Sequence, residues 1–309
     1  MLPPRPWPAL VGPTASGKSE AAVAVVEALG GLEVVSVDSM LVYRGMDVGT
    51  AKPSPLERAR VPHHLVDVAE PGAAFSVSRF QALALGAVRV IGDRGHRPLV
   101  VGGSGLYFRA VVDGLRFPGT DPGVRRELEA EATAVGARRL HERLAGSDPA
   151  AAAKIEPGNV RRTVRALEVA ALTGRPFSSF AADWERYPPG AVRAAGVLMD
   201  PGVLRRRIEA RVEAMVEGGL VDEVRALLEE GAGPSLTSGK AIGYAEAIDH
   251  LAGRSSLDEA VAGTVRRTRA LARRQLAWFR RDPRIRWFRA GLDGAAGIVA
   301  ELTEYYGNG

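Results

Sequence analysis

Cysteine is absent from the 309 residues of this chain, which removes disulfides, thiol nucleophiles and cysteine-based zinc sites together. A cysteine-free chain suits a reducing compartment, and any zinc site would have to rest on five histidines. No apolar run approaches the roughly 18 residues of a membrane helix, and MLPPRPWPAL leads into a glycine loop without room for a secretory signal. A cytoplasmic protein without a membrane partner is expected. Lysine is scarce as well: of 41 basic residues only Lys18, Lys52, Lys154 and Lys240 are lysines. With arginine the default base, the placement of an arginine says more than its identity.

What is present suits one large or two modest globular domains, with 46% hydrophobic and 25% charged residues. The net charge of +5 is uneven. Between Ser255 and Arg289, ten arginines face Asp258, Glu259 and Asp282, so this stretch carries +7 and the remainder is slightly acidic. One localised surface, and not the molecule at large, is the candidate polyanion site.

The short apolar runs PALVG, LEVVSVD, HHLVDV, RPLVVGG and RAAGVLMD predict buried parallel strands, with helical stretches between the early ones, as in a doubly wound α/β sheet. From about Asp121 to Arg186 the pattern becomes Ala, Arg and Glu at helical spacing, a helical insertion. From Val203 onward helices dominate, in LRRRIEARVEAMVEGGLVDEVRALLEEG, GKAIGYAEAIDHLAG and LDEAVAGTVRRTRALARRQLAWFRR. In the last of these, Arg266, Arg269, Arg273 and Arg280 share one stripe, with Arg267, Arg274 and Arg281 adjoining and Val261, Val265, Ala272 and Phe279 opposite. This is either a phosphate-binding face or a solvated one.

The clearest chemical signal is GPTASGKS, Gly12-Pro13-Thr14-Ala15-Ser16-Gly17-Lys18-Ser19. Its spacing, G-x-x-x-x-G-K-[ST], wraps backbone N–H groups around phosphate oxygens, with Lys18 on the outer phosphates and Ser19 facing Mg²⁺. An apolar strand before it and an Ala-rich helix after it place a helix N-terminus beneath the anion. In a parallel sheet Asp38, closing LEVVSVD, shares this rim. It can serve as a base, or cap a turn or hold a Mg²⁺ water. The segment SMLVYRGMDVGTAKP after it has the length of a functional loop.

A phosphoryl-transferring relative of the loop needs a metal-holding acid at the end of a later strand. RPLVVGG ends instead in Gly102-Gly103-Ser104-Gly105, which supplies no ligand but lets a backbone or flat ring approach, unless it is merely a tight turn. Asp67 could stand in for the acid, so a kinase is disfavoured and stays open.

Nine segments in order, GPTASGKS, DSMLVYRGMDVGTAKP, HHLVDV, FSVSRFQ, VGGSGLYFRA, VRALEVAALTGRP, RIEARVEAMVEGGLVDEV, AIGYAEA and RRQLAWFR, resemble the bacterial tRNA dimethylallyltransferases over nearly the whole chain. Leu41 stands where Gln is common in that family, Ser104 where Thr is usual, and Ala245 where Lys often follows Gly-Tyr. Ser104 keeps its hydroxyl, whereas Leu41 and Ala245 lose polar groups that would touch RNA.

The resemblance implies a P-loop NTPase-like parallel sheet core, residues 1–116 and 191–309, carrying a helical insertion domain, residues 117–190, against the anticodon stem of tRNA. It implies transfer of the dimethylallyl group of dimethylallyl diphosphate to N6 of adenosine 37, beside the anticodon, with release of diphosphate. The loop Gly12–Ser19 and Arg211 would hold the diphosphate, Mg²⁺ would sit on Ser19, and Asp38 would be the general base. Arg207, one turn before Arg211, shares its face, and without the family both would read as surface ion-pair residues. RNA contacts are implied at Asp38, Ser39, Met40 and Leu41, at Gly102, Gly103 and Ser104, at Asn159, Val160, Arg161 and Arg162, and on the Arg266, Arg269 and Arg273 stripe. A monomer is expected. The rivals are a small-molecule kinase, an adenylate isopentenyltransferase lacking so large an insertion, and an RNA-binding protein with a vestigial loop.

Overall fold

The computed structural model describes residues 2–180, 184, 186–229 and 238–308, which fall into two compact units, 1–114 with 188–309, and 115–187. The resemblance implies boundaries at 116/117 and 190/191, a few residues from these.

In the larger unit, β1 (Trp7–Val11) runs into the glycine loop and α1 (Lys18–Leu29) leaves it. Then follow β2 (Leu32–Ser36), α2 (Pro55–Arg60), β3 (His63–His64), α3 (Val77–Asp93), β4 (Arg97–Gly102) and α4 (Gly105–Val112). The six-stranded sheet has the order β3-β2-β4-β1-β5-β6, with β5 at Val192–Met199 and β6 at Ile285–Ala290, and each neighbouring pair is parallel. Alternate residues feed opposite faces: Trp7, Ala9 and Val11 join one apolar cluster with Phe80 and Phe279, while Leu10 joins the other with Val25 and Leu302. Burial on both faces is why these strands read as unbroken apolar runs.

β1 and β2 are consecutive in the chain but β4 lies between them. The segments leaving β1 and β2 are therefore about 10 Å apart at the carboxyl rim, the width of two strand spacings, and a crevice opens over the end of β4.

Two strands depart from the sequence reading. HHLVDV keeps only His63 and His64 extended, because Leu65 and Asp67 adopt φ of +67° and +57° and turn the chain away. β6 was not anticipated within the basic stretch: Ile285, Phe288 and Ala290 are buried, while Arg286 and Arg289 project from an edge strand. At the start of β2 the buried Glu33 accepts from Arg94, His64 and His96 at 2.5–2.9 Å.

The smaller unit holds α5 (Pro122–Val135), α6 (Ala137–Ser147), α7 (Pro149–Ala152) and α8 (Val160–Thr173) around Leu128, Leu140, Leu144, Val164 and Leu167. Its one buried carboxylate, among the described residues, beside Asp148 is Glu168, held by Arg125, Arg165 and the Asp121 N–H. Residues 181–183 and 185 of the expected insertion lie outside the described residues.

The long helical run after β5 divides at Gly218 and Gly219 into α9 (Pro201–Glu217) and α10 (Leu220–Glu229); Glu230 and Gly231, with which the reading closed it, lie outside the described residues. α11 (Tyr244–Leu251), α12 (Leu257–Phe279) and α13 (Val299–Gly307) complete the unit. Ser256 and Glu259 cap the start of α12 reciprocally. Among the described residues, no helix is long and apolar enough to cross a membrane.

Candidate active site

The loop after β1 turns tightly because Gly17 takes φ +80° and Ala15 takes φ +63° despite its Cβ. Its outer side is braced by the protein itself. The Ala295 N–H donates to the Ser16 carbonyl at 2.8 Å, and Arg207 donates to the Ala15 carbonyl at 2.9 Å and to that of Leu292 at 3.0 Å. Arg207 thus supports the loop from behind and lines neither cavity described below, although its helical spacing had paired it with Arg211.

Inside the loop, the Lys18 ammonium donates to the Pro13 carbonyl at 2.6 Å, and burial, with Arg211 nearby, pulls its pKa down to about 7 against the pull of Asp38. Arg211, from α9, donates to the Thr50 carbonyl at 3.0 Å. Burial lowers its pKa too, and Asp38 opposes this. Asp38 stands just beyond β2, where one of its oxygens accepts from the Met40 N–H at 2.8 Å and the other is left for a second partner. A carboxylate, an ammonium and a guanidinium from three different elements therefore share one electrostatic neighbourhood.

Two cavities meet here. The first, about 240 Å³, is lined by Thr14–Ser19, Ser36, Asp38, Leu41, Gly102 and Arg211 among others. The second, about 450 Å³, has a more apolar lining that includes Ser39, Met40, Ser104, Met215, Tyr244 and Trp278. Thr14, Asp38, Thr50, Gly103, Arg211 and Gln275 line both. One cavity is suited to an anion and the other to a flat or branched apolar group, with Asp38 and Arg211 at the boundary. Ser19 is exposed in the first turn of α1, at the edge of the anion cavity.

The glycines after β4 are explained by close approach. A Cβ on Gly102 would stand 2.5 Å from the Val37 carbonyl oxygen; one on Gly103 would overlap the Gln275 amide, and one on Gly105 the Trp278 indole. Gly102, Gly103 and Gly105 all keep ordinary φ, so a turn requirement does not account for them. Asp67 gives its two oxygens to Lys52 and Arg58 and lines neither cavity, so it is not the metal-holding acid a kinase would need.

The basic stretch is not one surface. Arg284 is buried against Asp113 and Asp282, and Arg286 and Arg289 belong to β6. On α12 the buried side is Ala260, Gly263, Thr264, Thr268, Ala272 and Phe279, whereas Val261 and Val265 are only part-buried, because small residues there admit the neighbouring helices. Arg266 and Arg273 are exposed as expected; Arg269 is ion-paired with Glu209, and Arg267 with Glu246 at 2.5 Å. Asn159, Val160, Arg161 and Arg162 open α8 in the smaller unit, where the Asn159 side chain caps the Arg162 N–H at 3.2 Å and both arginines are exposed.

Sequence reasoning gave Thr50 no role beyond its place in the long loop, and missed Gln275 and Trp278. The last two belong to a line of α12 residues, Thr264, Thr268, Leu271, Gln275 and Trp278, at helical spacing along the second cavity. That spacing is legible in the sequence, although arginines dominate the other faces of the helix.

A family model described as IPP transferase matches residues 41–282. The chain is 52% identical over 290 residues to a tRNA dimethylallyltransferase of Kineococcus radiotolerans, covering 92% of this chain and 91% of that one. It is 47% identical to one of Desulforudis audaxviator, covering 100% and 99%. A crystal structure of the tRNA isopentenylpyrophosphate transferase of Bacillus halodurans superposes with a TM-score of 0.71 at 40% identity, covering 98% of this chain and 96% of that one.

Proposed function

Since this chain belongs to the IPP transferase family, we infer that it transfers a dimethylallyl group from dimethylallyl diphosphate to N6 of the adenosine beside the anticodon of tRNA, releasing diphosphate. The observation that carries the chemical reading is the shared wall of the two cavities, where Asp38 and Arg211 stand between a phosphate loop and an apolar chamber.

In this reading the diphosphate occupies the glycine loop, with its oxygens on the loop N–H groups, Lys18 and Arg211. The prenyl tail crosses the wall towards the apolar cavity, and the adenine enters that cavity from the other side after leaving its stack. The C1–O bond breaks with its electron pair on the diphosphate, whose growing charge Lys18 and Arg211 stabilise. The N6 lone pair forms the new bond to C1, and the proton lost from N6 passes to the free oxygen of Asp38. Burial lowers the Lys18 pKa to about 7, and the diphosphate's charge would hold it as the ammonium.

Mg²⁺ fits the site as a partner of the leaving group. Among the described residues no three His, Asp or Glu side chains cluster as a metal cage, while the Ser19 hydroxyl at the cavity edge can be one ligand, with phosphate oxygens and water as the others. The ion would supply further charge neutralisation to the diphosphate. RNA is gripped by Ser39–Leu41, Gly102–Ser104, the exposed arginines of α12 and the start of α8. A monomer that works on tRNA in the cytoplasm completes this reading.

The test is mass spectrometry of nucleosides from unmodified tRNA incubated with the protein and dimethylallyl diphosphate. A prenylated adenosine confined to the anticodon loop is expected; unmodified RNA would reject the reading.

A further inference from the structure

The loop between Asp38 and α2 passes beneath Arg211, and a carboxylate outside both cavities holds it. Glu223, on α10, accepts from three successive N–H groups, those of Asp47 and Val48 at 2.8 Å and that of Gly49 at 3.3 Å. The Tyr244 hydroxyl donates to the same carboxylate at 2.5 Å. Burial and the neighbouring carboxylate both raise the Tyr244 pKa, so its hydroxyl stays a donor. Gly49 must be glycine, because a Cβ there would overlap the Tyr244 ring and stand 2.7 Å from Leu220. The following residue, Thr50, presents its carbonyl to Arg211, and the Thr50 hydroxyl is turned back onto the Met46 carbonyl at 2.6 Å.

We propose that Glu223 is a positioning residue for the transfer: by gathering the 47–49 amides it aims the Thr50 carbonyl, which in turn orients the Arg211 guanidinium on the leaving diphosphate. The proposal rests on the reading of Arg211 given above. Three converging N–H groups form an anion nest, here filled by the protein's own carboxylate, and charge-assisted hydrogen bonds of this kind are short and directional. Arg211 is half-buried, and the Thr50 carbonyl is the acceptor that directs its guanidinium. From the other side Lys52, whose side chain is buried, ties the same loop through the Tyr43 carbonyl at 2.8 Å and through Asp47 and Asp67. The loop is thus held at both ends of the Asp47–Lys52 span, with the Thr50 carbonyl between them.

The experiment is a double-mutant cycle of Glu223→Gln with Arg211→Lys, read by single-turnover prenyl transfer, tRNA binding and thermal midpoint. Glu223→Gln in the wild-type background should slow transfer by about 10- to 100-fold, the scale of a sub-ångström to 1 Å misplacement, with tRNA affinity within about twofold. In the Arg211→Lys background the same change should cost less than about threefold, because the residue it acts through is already altered. Equal losses in both backgrounds, or a loss confined to tRNA binding, would overturn the proposal. Should Glu223→Gln fail to fold, Tyr244→Phe removes one of the four hydrogen bonds and should give a smaller loss with the same non-additivity; additivity there would overturn it equally. If the wild-type chain transfers no prenyl group, the functional reading fails instead. The Glu223–Arg211 coupling is then read from binding of inorganic diphosphate to the same four proteins, non-additivity supporting the proposal and additivity overturning it.

Discussion

Gln275 reaches from α12 to the phosphate loop and accepts the Thr14 N–H at 2.8 Å, placing one helix of the apolar cavity in direct contact with the anion site. The amide also lies against Gly103, so it links the phosphate loop to the glycine run at the end of β4. Gln275→Glu keeps the shape and adds a negative charge to the wall facing the diphosphate. It should raise KM for dimethylallyl diphosphate by about 10-fold or more, the effect of one like charge worth about 1.4 kcal/mol, while tRNA affinity stays near wild type. Initial-rate kinetics with each substrate varied in turn checks this.

The titration of Lys18 makes diphosphate binding take up a proton. Burial and the nearby Arg211 lower its pKa to about 7, and the charge of a bound diphosphate would raise it again. Calorimetry with inorganic diphosphate at pH 8, in buffers of different ionisation enthalpy, should show uptake of up to about one proton, and affinity should fall as pH rises from 7 to 9. Lys18→Met should abolish the uptake.

Salt dependence separates the arginines of α12. Arg266 and Arg273 are exposed, and replacing both with Gln should flatten the slope of log tRNA affinity against log salt by somewhat under one unit for each contact. Arg269 is committed to Glu209, so Arg269→Gln should change the slope little. Turnover at saturating tRNA should stay unchanged for the double variant, since phosphate contacts position RNA without entering the bond-making step.

Away from the site, Glu33 links stability to acid pH. Burial works against its charge, but hydrogen bonds from Arg94, His64 and His96 outweigh it and hold the carboxyl at about 2. Its folded pKa is depressed, so its contribution is complete above the unfolded value of about 4.3 and vanishes as pH falls towards 2. Glu33→Gln should cost about 3 kcal/mol at neutral pH by this linkage, and denaturation curves should show the gap from wild type closing between about pH 4 and pH 2.

The phosphate loop, Asp38 and the glycine run were legible because each answers to a local rule: a spacing, a strand end, a need for backbone approach. β6 was hidden by arginines that made IRWFRA look like part of a basic surface, although its apolar residues face the sheet. Glu223, Thr50 and Gln275 were not legible because their roles arise from partners far along the chain, 176 residues in the case of Glu223 and Asp47, 161 for Arg211 and Thr50, and 261 for Gln275 and Thr14. The shared-wall geometry likewise needs the strand order, which puts β4 between two strands that the chain visits in succession.

Asp38 carries the central step, and the most direct measurement compares wild type with Asp38→Ala on unmodified tRNA and dimethylallyl diphosphate, counting prenylated adenosine and released diphosphate while tRNA affinity is followed separately. One diphosphate per modified adenosine is expected from the wild type. Asp38→Ala should bind tRNA almost normally but turn over about 10²- to 10⁴-fold more slowly, the usual share of a general base. Turnover per bound tRNA equal to wild type, or diphosphate release without any prenylated adenosine, would contradict the account.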